Sequence, residues 1–529
     1  MKTTFVKKGL IALVSSALVA TFAVAAPSVA HAADLTCTTA STKVETCTGV
    51  DDNGAKFEIR MPANFNGTLY VYSHGIRYNV NLPAIPVVAP QGSLVNKAPE
   101  VAPSAIVATA LLKQGYALAG SGATTQGWNL EEGVDGALQV LQAAQDKYPK
   151  INKVIAWGNS LGGLTSQAFA EQYSGAVDAV APMCLAESAQ AEITMAGDFL
   201  WGMKTFFNPA IKGSGYSAGQ AGYVEMLTDL GTVLTTLQAL QVAIATNPVA
   251  PAWPATSSVP DSLKAIPVRS AILLLGLISG ISTQSNTYDA SSGPAGALET
   301  SFGLAISPAL AVLENGAQAA VLAVIANYDM EVRAGGVVYD NTKTNFAARL
   351  GEDAQTFNAA LSGGTATTGM IGYLQYLAPK VSADPAAVAK LNSMYQLQGK
   401  ITVPTITIAA TADHITPPGA VSYLINQYNS AVSSGTAKSG MLLNIWNRPA
   451  ESYTQFAATG AGITPTVTTN GTGHCNYTTS QILTVAKLAA TAAKTGKLPS
   501  TATVKAAIKN DANLFIDPNF LPPLLKFRQ

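Results

Sequence analysis

The chain has 529 residues, 31 Lys and Arg against 31 Asp and Glu, 12% charged residues and 48% hydrophobic ones. That neutral balance leaves no basic field to recruit nucleic acid or an anionic membrane surface, and so much apolar content excludes a disordered chain. The length accommodates two or three ordinary domains, or one large domain carrying a big insertion.

The N-terminus reads as a secretory leader. Lys2, Lys7 and Lys8 form a basic start, Gly9–Ala25 is apolar, and Ala30-His31-Ala32 is a small-residue cleavage site. Residues 1–32 are therefore expected to be a signal peptide and the protein to be extracellular. The polar start at Ala33-Asp34 argues against a retained membrane anchor, so no stable membrane insertion is expected. Losing the leader removes three lysines and no acid, which leaves the mature chain slightly acidic. Four cysteines in an exported chain invite pairing, with three connectivities open. Cys37 and Cys47 flank the turn-like stretch Thr38–Glu45, so a local staple is the simplest pair. That leaves Cys184 with Cys475, with separate buried thiols as the alternative.

From Lys56 onward strand and helix patterns alternate. Lys56–Arg60 and Thr68–Tyr72 predict strands, the second ending at Ser73-His74-Gly75. Ser104 can cap a helix that runs to Lys113 and stops at Gly115. Tyr116–Gly122 predicts a short strand. Leu130–Tyr148 has apolar residues at helical spacing (Val134, Leu138, Leu141). Lys153–Trp157 predicts a strand, Leu164–Tyr173 a helix, and Val177–Pro182 another strand. This alternation predicts a parallel sheet covered by helices on both faces.

Between about Glu187 and Gly399 the pattern becomes mostly helical, broken by Pro- and Ser-rich stretches at Pro248–Pro260 and Ser282–Pro294. Ser270–Ile281 and Ala317–Ala326 are apolar runs too short to span a bilayer. They suit buried helices of a second domain, or an apolar wall over the site. Alternation resumes with a strand at Val403–Ala409, a helix at Ala420–Tyr428 and a strand at Met441–Trp446. The expected organisation is residues 33–186 and 401–529 as two parts of one core, with residues 187–400 as a helical cap or lid.

Chemistry concentrates at Gly158-Asn159-Ser160-Leu161-Gly162-Gly163, directly after a predicted strand and before a predicted helix. It matches G-x-S-x-G, a sharp turn that exposes a nucleophilic serine; Gly158 and Gly162 permit the bend and the close helix packing. A serine hydroxyl needs a base, and the mature chain has three histidines: His74, His414 and His474. His474 lies in a glycine-rich loop, Asn470-Gly471-Thr472-Gly473-His474-Cys475, beyond the last strand, and is the favoured base over His414 and His74. Asp413, just past a strand end, is the expected partner that orients the imidazole, with Glu187 in reserve. The N–H of Leu161 and, from the loop after His74-Gly75, that of Ile76 are the expected oxyanion donors, with His74 and Gly75 shaping the loop. A cysteine nucleophile at Cys475 lacks an acidifying context, and the histidines have no metal-like spacing. No nucleotide-binding loop is present, so neither metal nor organic cofactor is expected.

The order Ser160, Asp413, His474, the elbow and the His-Gly turn resemble the α/β-hydrolase superfamily over about Ala55–Ala186 and Ile401–Tyr477. The resemblance implies an α/β-hydrolase fold, a mostly parallel sheet interrupted by a large, mainly helical cap insertion. The long cap and Cys475 beside the histidine are also similar to the tannase and feruloyl esterase family. That family has a second cysteine before the serine, where this chain has Asn159, so no aromatic-ester substrate is carried over. The expectation is a secreted serine hydrolase of carboxylic esters, esterase- or lipase-like, with an apolar acyl chain as a suitable substrate. A secreted peptidase of the same fold and a non-enzymatic binding protein on this scaffold are the alternatives.

Overall fold

A computed structural model of the chain describes residues 35–85, 89–247, 250–289, 306–351, 361–450, 452–456, 462–463 and 470–525. The expected leader, Pro248 and Pro294 lie outside the described residues.

The strands in chain order are β1 (Thr36–Thr39), β2 (Val44–Val50), β3 (Lys56–Pro62), β4 (Thr68–Ser73), β5 (Ala117–Ser121), β6 (Lys153–Asn159), β7 (Ala179–Met183), β8 (Thr405–Ala410) and β9 (Leu442–Asn447). A two-stranded ribbon, β10 (Gln455–Phe456) and β11 (Gly462–Ile463), and a last edge strand, β12 (Leu514–Phe515), follow. Among the described residues one ten-stranded sheet runs in the order β1-β2-β3-β5-β4-β6-β7-β8-β9-β12. From β5 to β9 neighbouring strands are parallel, while β3 meets β5, and β12 meets β9, antiparallel.

Side chains alternate across this sheet because the strand repeat is two. Tyr70, Tyr72, Ile155, Trp157, Ile406 and Ile408 share one core. Leu69, Val71, Val154, Ala156 and Val180 share the other. Helices α1 (Ala105–Lys113) and, late in the chain, Thr479–Thr495 cover the first face; α2 (Leu130–Lys147), α3 (Leu161–Gln172) and Gly419–Ser433 cover the second. Ser104 caps α1 by accepting from the Val107 N–H, as its sequence suggested. With the middle strands parallel, helices on both faces and one strand order reversal at β4/β5, this is the α/β-hydrolase fold.

The mainly helical insertion lies between β7 and β8. Its long members are α4 (Ala189–Phe206), α5 (Gly219–Thr246), α6 (Val268–Ser279) and α7 (Ile306–Ala334). They share a core of their own. Every residue of α6 is buried, which explains its charge-poor apolar sequence. By length and composition α5 and α7 could each cross a membrane; α7 is largely buried in the protein instead.

The N-terminal hairpin departs from expectation. Thr38, Thr39, Val44 and Glu45, expected in a turn, are strand residues, and the reversal is confined to Ala40–Lys43. Cys37 and Cys47 stand directly opposite each other in β1 and β2 and are disulfide-bonded. Cys184 and Cys475 form the second disulfide.

Candidate active site

Ser160 occupies the junction between β6 and α3 with φ 58° and ψ −127°, a left-handed backbone that a non-glycine residue adopts only when its surroundings enforce it. The enforcement is visible. The Ser160 N–H donates to the Met183 carbonyl at 3.0 Å, and the Ala186 N–H donates to the Ser160 carbonyl at 3.3 Å, tying the bend to the end of β7. A β-carbon on Gly162 would collide with the carbonyl oxygens of Ser73 and His74, and one on Gly158 with the Gly162 carbonyl. The glycines therefore allow α3 to start one residue after the serine, earlier than the predicted Leu164.

His474 reaches the serine from a loop whose backbone is left-handed at Gly471, Gly473 and Cys475. Its Nε2 lies 2.9 Å from Ser160 Oγ, and its Nδ1 lies 3.0 Å from Asp413 Oδ2 and 3.1 Å from Oδ1. Asp413 is 1% exposed. Its Oδ1 accepts from the Ile415 N–H at 2.8 Å and the Thr416 N–H at 3.0 Å, and its Oδ2 from Thr416 Oγ1 at 3.1 Å. Burial alone would raise this carboxyl, but the charge and hydrogen bond of His474, then His414 and the Ile415 N–H, hold it below the usual carboxylate range. It stays ionised and keeps a fixed grip on the imidazole.

The Cys184–Cys475 disulfide joins the end of β7 to the residue after His474. Thr416 Oγ1 also donates to the Cys184 carbonyl at 2.9 Å, so the acid loop, the histidine loop and β7 are braced together.

The other expected residues fall around this chain of hydrogen bonds. Ile76 and Leu161 both line a slot into which Ser160 opens, and among the described residues the N–H of each has no acceptor. Gly75 packs so close that a β-carbon there would lie 3.2 Å from the Asn159 carbonyl and 3.3 Å from Ser160 Cβ. His74 Nδ1 lies 2.7 Å from the Gly75 carbonyl, within its own turn. Burial, then the Arg77 charge, lowers its imidazole below the ordinary value. Glu187, the reserve acid, is fully buried and its N–H donates to Glu192 Oε1 at 3.4 Å. The acid that reaches His474 is Asp413.

Two features were not anticipated. The serine hydroxyl is bonded to His474 and not to His414, which is 1% exposed and lines the slot together with Trp128 and Glu192. Burial pushes its imidazole down to about 4, partly offset by Asp413. Burial beside Glu187 and Asp413 pushes the Glu192 carboxyl up to about 8.

The slot encloses about 70 Å³ and its walls are largely apolar: Ile193, Met195 and Phe199 from α4, and Ala319, Leu322, Ala323, Ala326 and Met330 from α7. The Ala317–Ala326 run thus supplies a wall of the site. A wider cavity of about 460 Å³, lined by Arg77, Tyr78, Asn96 and His474, shares Ile76, Leu322, His414 and Ile415 with the slot. Among the described residues, the His/Cys/acid groups tight enough for a cation are Cys37-Glu45-Cys47 and Asp413-His474-Cys475. Each includes a disulfide sulfur, which is no thiolate ligand.

No protein-family model and no curated protein sequence matches the chain. Solved structures similar to it include an esterase from Aspergillus oryzae, with 14% identity over 76% of this chain and 72% of that one and a TM-score of 0.35. Feruloyl esterase B from Aspergillus oryzae has 12% identity over 76% and 73%, with a TM-score of 0.34. Lipase A from Candida antarctica has 15% identity over 31% and 45%, with a TM-score of 0.23.

Proposed function

We propose that the protein is a secreted serine hydrolase that cleaves carboxylic esters through an acyl-enzyme on Ser160. The observation that carries this reading is the unbroken chain from Ser160 Oγ to His474 Nε2 and from His474 Nδ1 to Asp413, on a strained elbow.

The chemistry follows from the geometry. As Ser160 Oγ attacks the acyl carbon, His474 Nε2 takes its proton, and buried Asp413 holds the imidazole tautomer and stabilises the imidazolium. The oxyanion that forms is met by the N–H groups of Leu161 and Ile76, which have no other acceptor among the described residues. His474 returns the proton to the departing alcohol, and water then releases the acid. The apolar slot suits the acyl group, and the wider cavity beside His474 suits the alcohol. The leader-like N-terminus and two disulfides support export to an oxidising compartment.

A fluorophosphonate probe combined with p-nitrophenyl esters and aminoacyl anilides tests the reading. Labelling that vanishes in Ser160→Ala, together with ester cleavage that falls by several orders of magnitude in His474→Ala, is expected. Fast anilide cleavage with inert esters makes the protein a peptidase, and absence of labelling makes it a binding protein.

A further inference from the structure

The slot is apolar along α4 and α7, yet it is not a plain alkyl tunnel. Polar side chains line it at six described positions: Trp128, Ser160, Glu192, Asp329, His414 and Thr416. Four of these have at least one hydrogen bond inside the protein. Ser160 is bonded to His474, Thr416 to Asp413 and Cys184, and Glu192 to the Glu187 N–H. Asp329 accepts from Asn79, the Trp128 N–H and Arg333.

The remaining two differ. Trp128 is 7% exposed and His414 1% exposed, and among the described residues neither the indole Nε1 nor either imidazole nitrogen has a hydrogen-bond partner. Buried polar groups in native proteins are almost always paired, so unpaired ones at the edge of a reaction centre need an explanation. The backbone is tied at both places: the main-chain N–H of Trp128 donates to Asp329 Oδ2 at 3.0 Å, and that of Ile415, next to His414, donates to Asp413 Oδ1 at 2.8 Å. An indole offers one N–H; a neutral imidazole offers one donor and one acceptor.

We propose that the slot selects acyl groups carrying a hydroxyl or carbonyl oxygen, and that Trp128 and His414 are the specificity-determining residues that bind it. A plain alkyl group in the slot leaves these buried polar atoms unpaired, whereas an oxygen substituent brought against them satisfies them. A site that hydrogen-bonds its substrate rejects the analogue lacking that group far more strongly than an apolar pocket rejects a missing methylene. His414 lines both the slot and the wider cavity, so the oxygen it reads lies near the ester carbon rather than at the far end of a long chain. The inference rests on the reading of Ser160 as an ester-cleaving nucleophile.

The test compares ethyl butyrate and ethyl pentanoate with ethyl lactate, ethyl 3-hydroxybutyrate, ethyl acetoacetate and ethyl levulinate, by pH-stat at neutral pH. Each kcat/KM is divided by that ester's hydroxide rate to remove intrinsic reactivity. The expected result is a preference of about tenfold or more for at least one oxygenated acyl group. That preference should collapse toward one in Trp128→Phe and His414→Leu, which a merely structural role leaves unmoved. A smaller wild-type preference overturns the inference, as does a preference unchanged in both variants. So does one that follows the alcohol half, read with 2-hydroxyethyl butyrate. Should a variant fail to fold, the wild-type ratio alone decides. Equal rates on plain and oxygenated esters with Ser160 still labelled refute the inference alone. No labelling and no hydrolysis refute the hydrolase reading and take the inference with it.

Discussion

Replacing His414 by glutamine should change how the protein responds to acid. An ordinary histidine protonates near pH 6.5, and burial holds this one down to about 4, with Asp413 pulling the value up and His474 pushing it down. In the folded state the ring therefore stays neutral over a range in which the unfolded chain has already bound a proton. Stability from this group is fully present above the unfolded value and is lost as pH falls from about 6.5 toward 4. The gap between about 6.5 and about 4 corresponds to about 3 kcal/mol. With 1% exposure there is little solvent screening to discount. His414→Gln removes the titration and keeps a polar side chain of similar size. Urea unfolding midpoints for both proteins, at half-unit steps from pH 4 to 8, isolate the effect as a difference. The other titrating groups are common to both proteins and cancel to first order. The variant should lose stability by a constant amount above pH 7, and that deficit should shrink or reverse by about 3 kcal/mol as pH falls to 4. A deficit that stays constant within 1 kcal/mol across the whole range refutes the argument that a neutral, unpaired imidazole is buried beside Asp413.

Glu192→Gln should show the opposite sign. The carboxyl is raised by burial to about 8, so its stabilising protonated form is complete below pH 4.5 and is lost as pH rises toward 8. Because Glu192 keeps some surface open to the slot, about 2 kcal/mol is expected rather than the full shift. The variant should gain on wild type by that amount between pH 5 and 8 in the same urea series. Replacing Cys184 and Cys475 by alanine opens a link spanning 291 residues. It should cost about 3–5 kcal/mol in urea stability and lower kcat on p-nitrophenyl butyrate, because His474 loses its anchor. Gly162→Ala drives a methyl into the Ser73 and His74 carbonyls. Fluorophosphonate labelling should be abolished even in protein that remains soluble.

The sheet was legible where strands are buried on both faces and bounded by turns. Thr68–Ser73, Lys153–Asn159 and Thr405–Ala410 each lie within one residue or two of the predicted runs. Their apolar content is a local consequence of helices covering both faces. The β1–β2 hairpin and β12 carry no such signal. Thr-Cys-Thr-Thr is mostly exposed, and Leu514–Phe515 is two residues long. Their pairing is decided by partners elsewhere in the chain, including Cys47 and Asn447. Thr479–Thr495 went unread for a related reason. Its inward face is mostly alanine, which gives little contrast with the threonines outside, although Thr478 and Gln481 form a complete capping box.

The hydrogen-bonded chain of Ser160, His474 and Asp413 was legible because serine, acid and histidine each carry a local mark: an elbow, a strand end and a glycine loop. Trp128, Glu192 and His414 carry none individually, but their positions in the fold obey one rule. Trp128 follows β5, Glu192 lies in the helix after β7, and His414 follows β8, all past the carboxyl ends of parallel strands where ligands gather. Chain order alone thus makes polar and aromatic residues in those connections candidates for the site, and all three qualify. Ala319, Leu322, Ala323 and Ala326 do not, because nothing local says that one face of α7, rather than its neighbour, closes over Ser160. That choice belongs to packing between α7, α4 and α5, whose buried faces fill the core of the insertion. The polar determinants of specificity are thus products of the sheet's direction, and the apolar ones of the insertion's packing. Changes to the helical core should therefore alter chain-length preference while leaving the preference for an oxygen substituent in place.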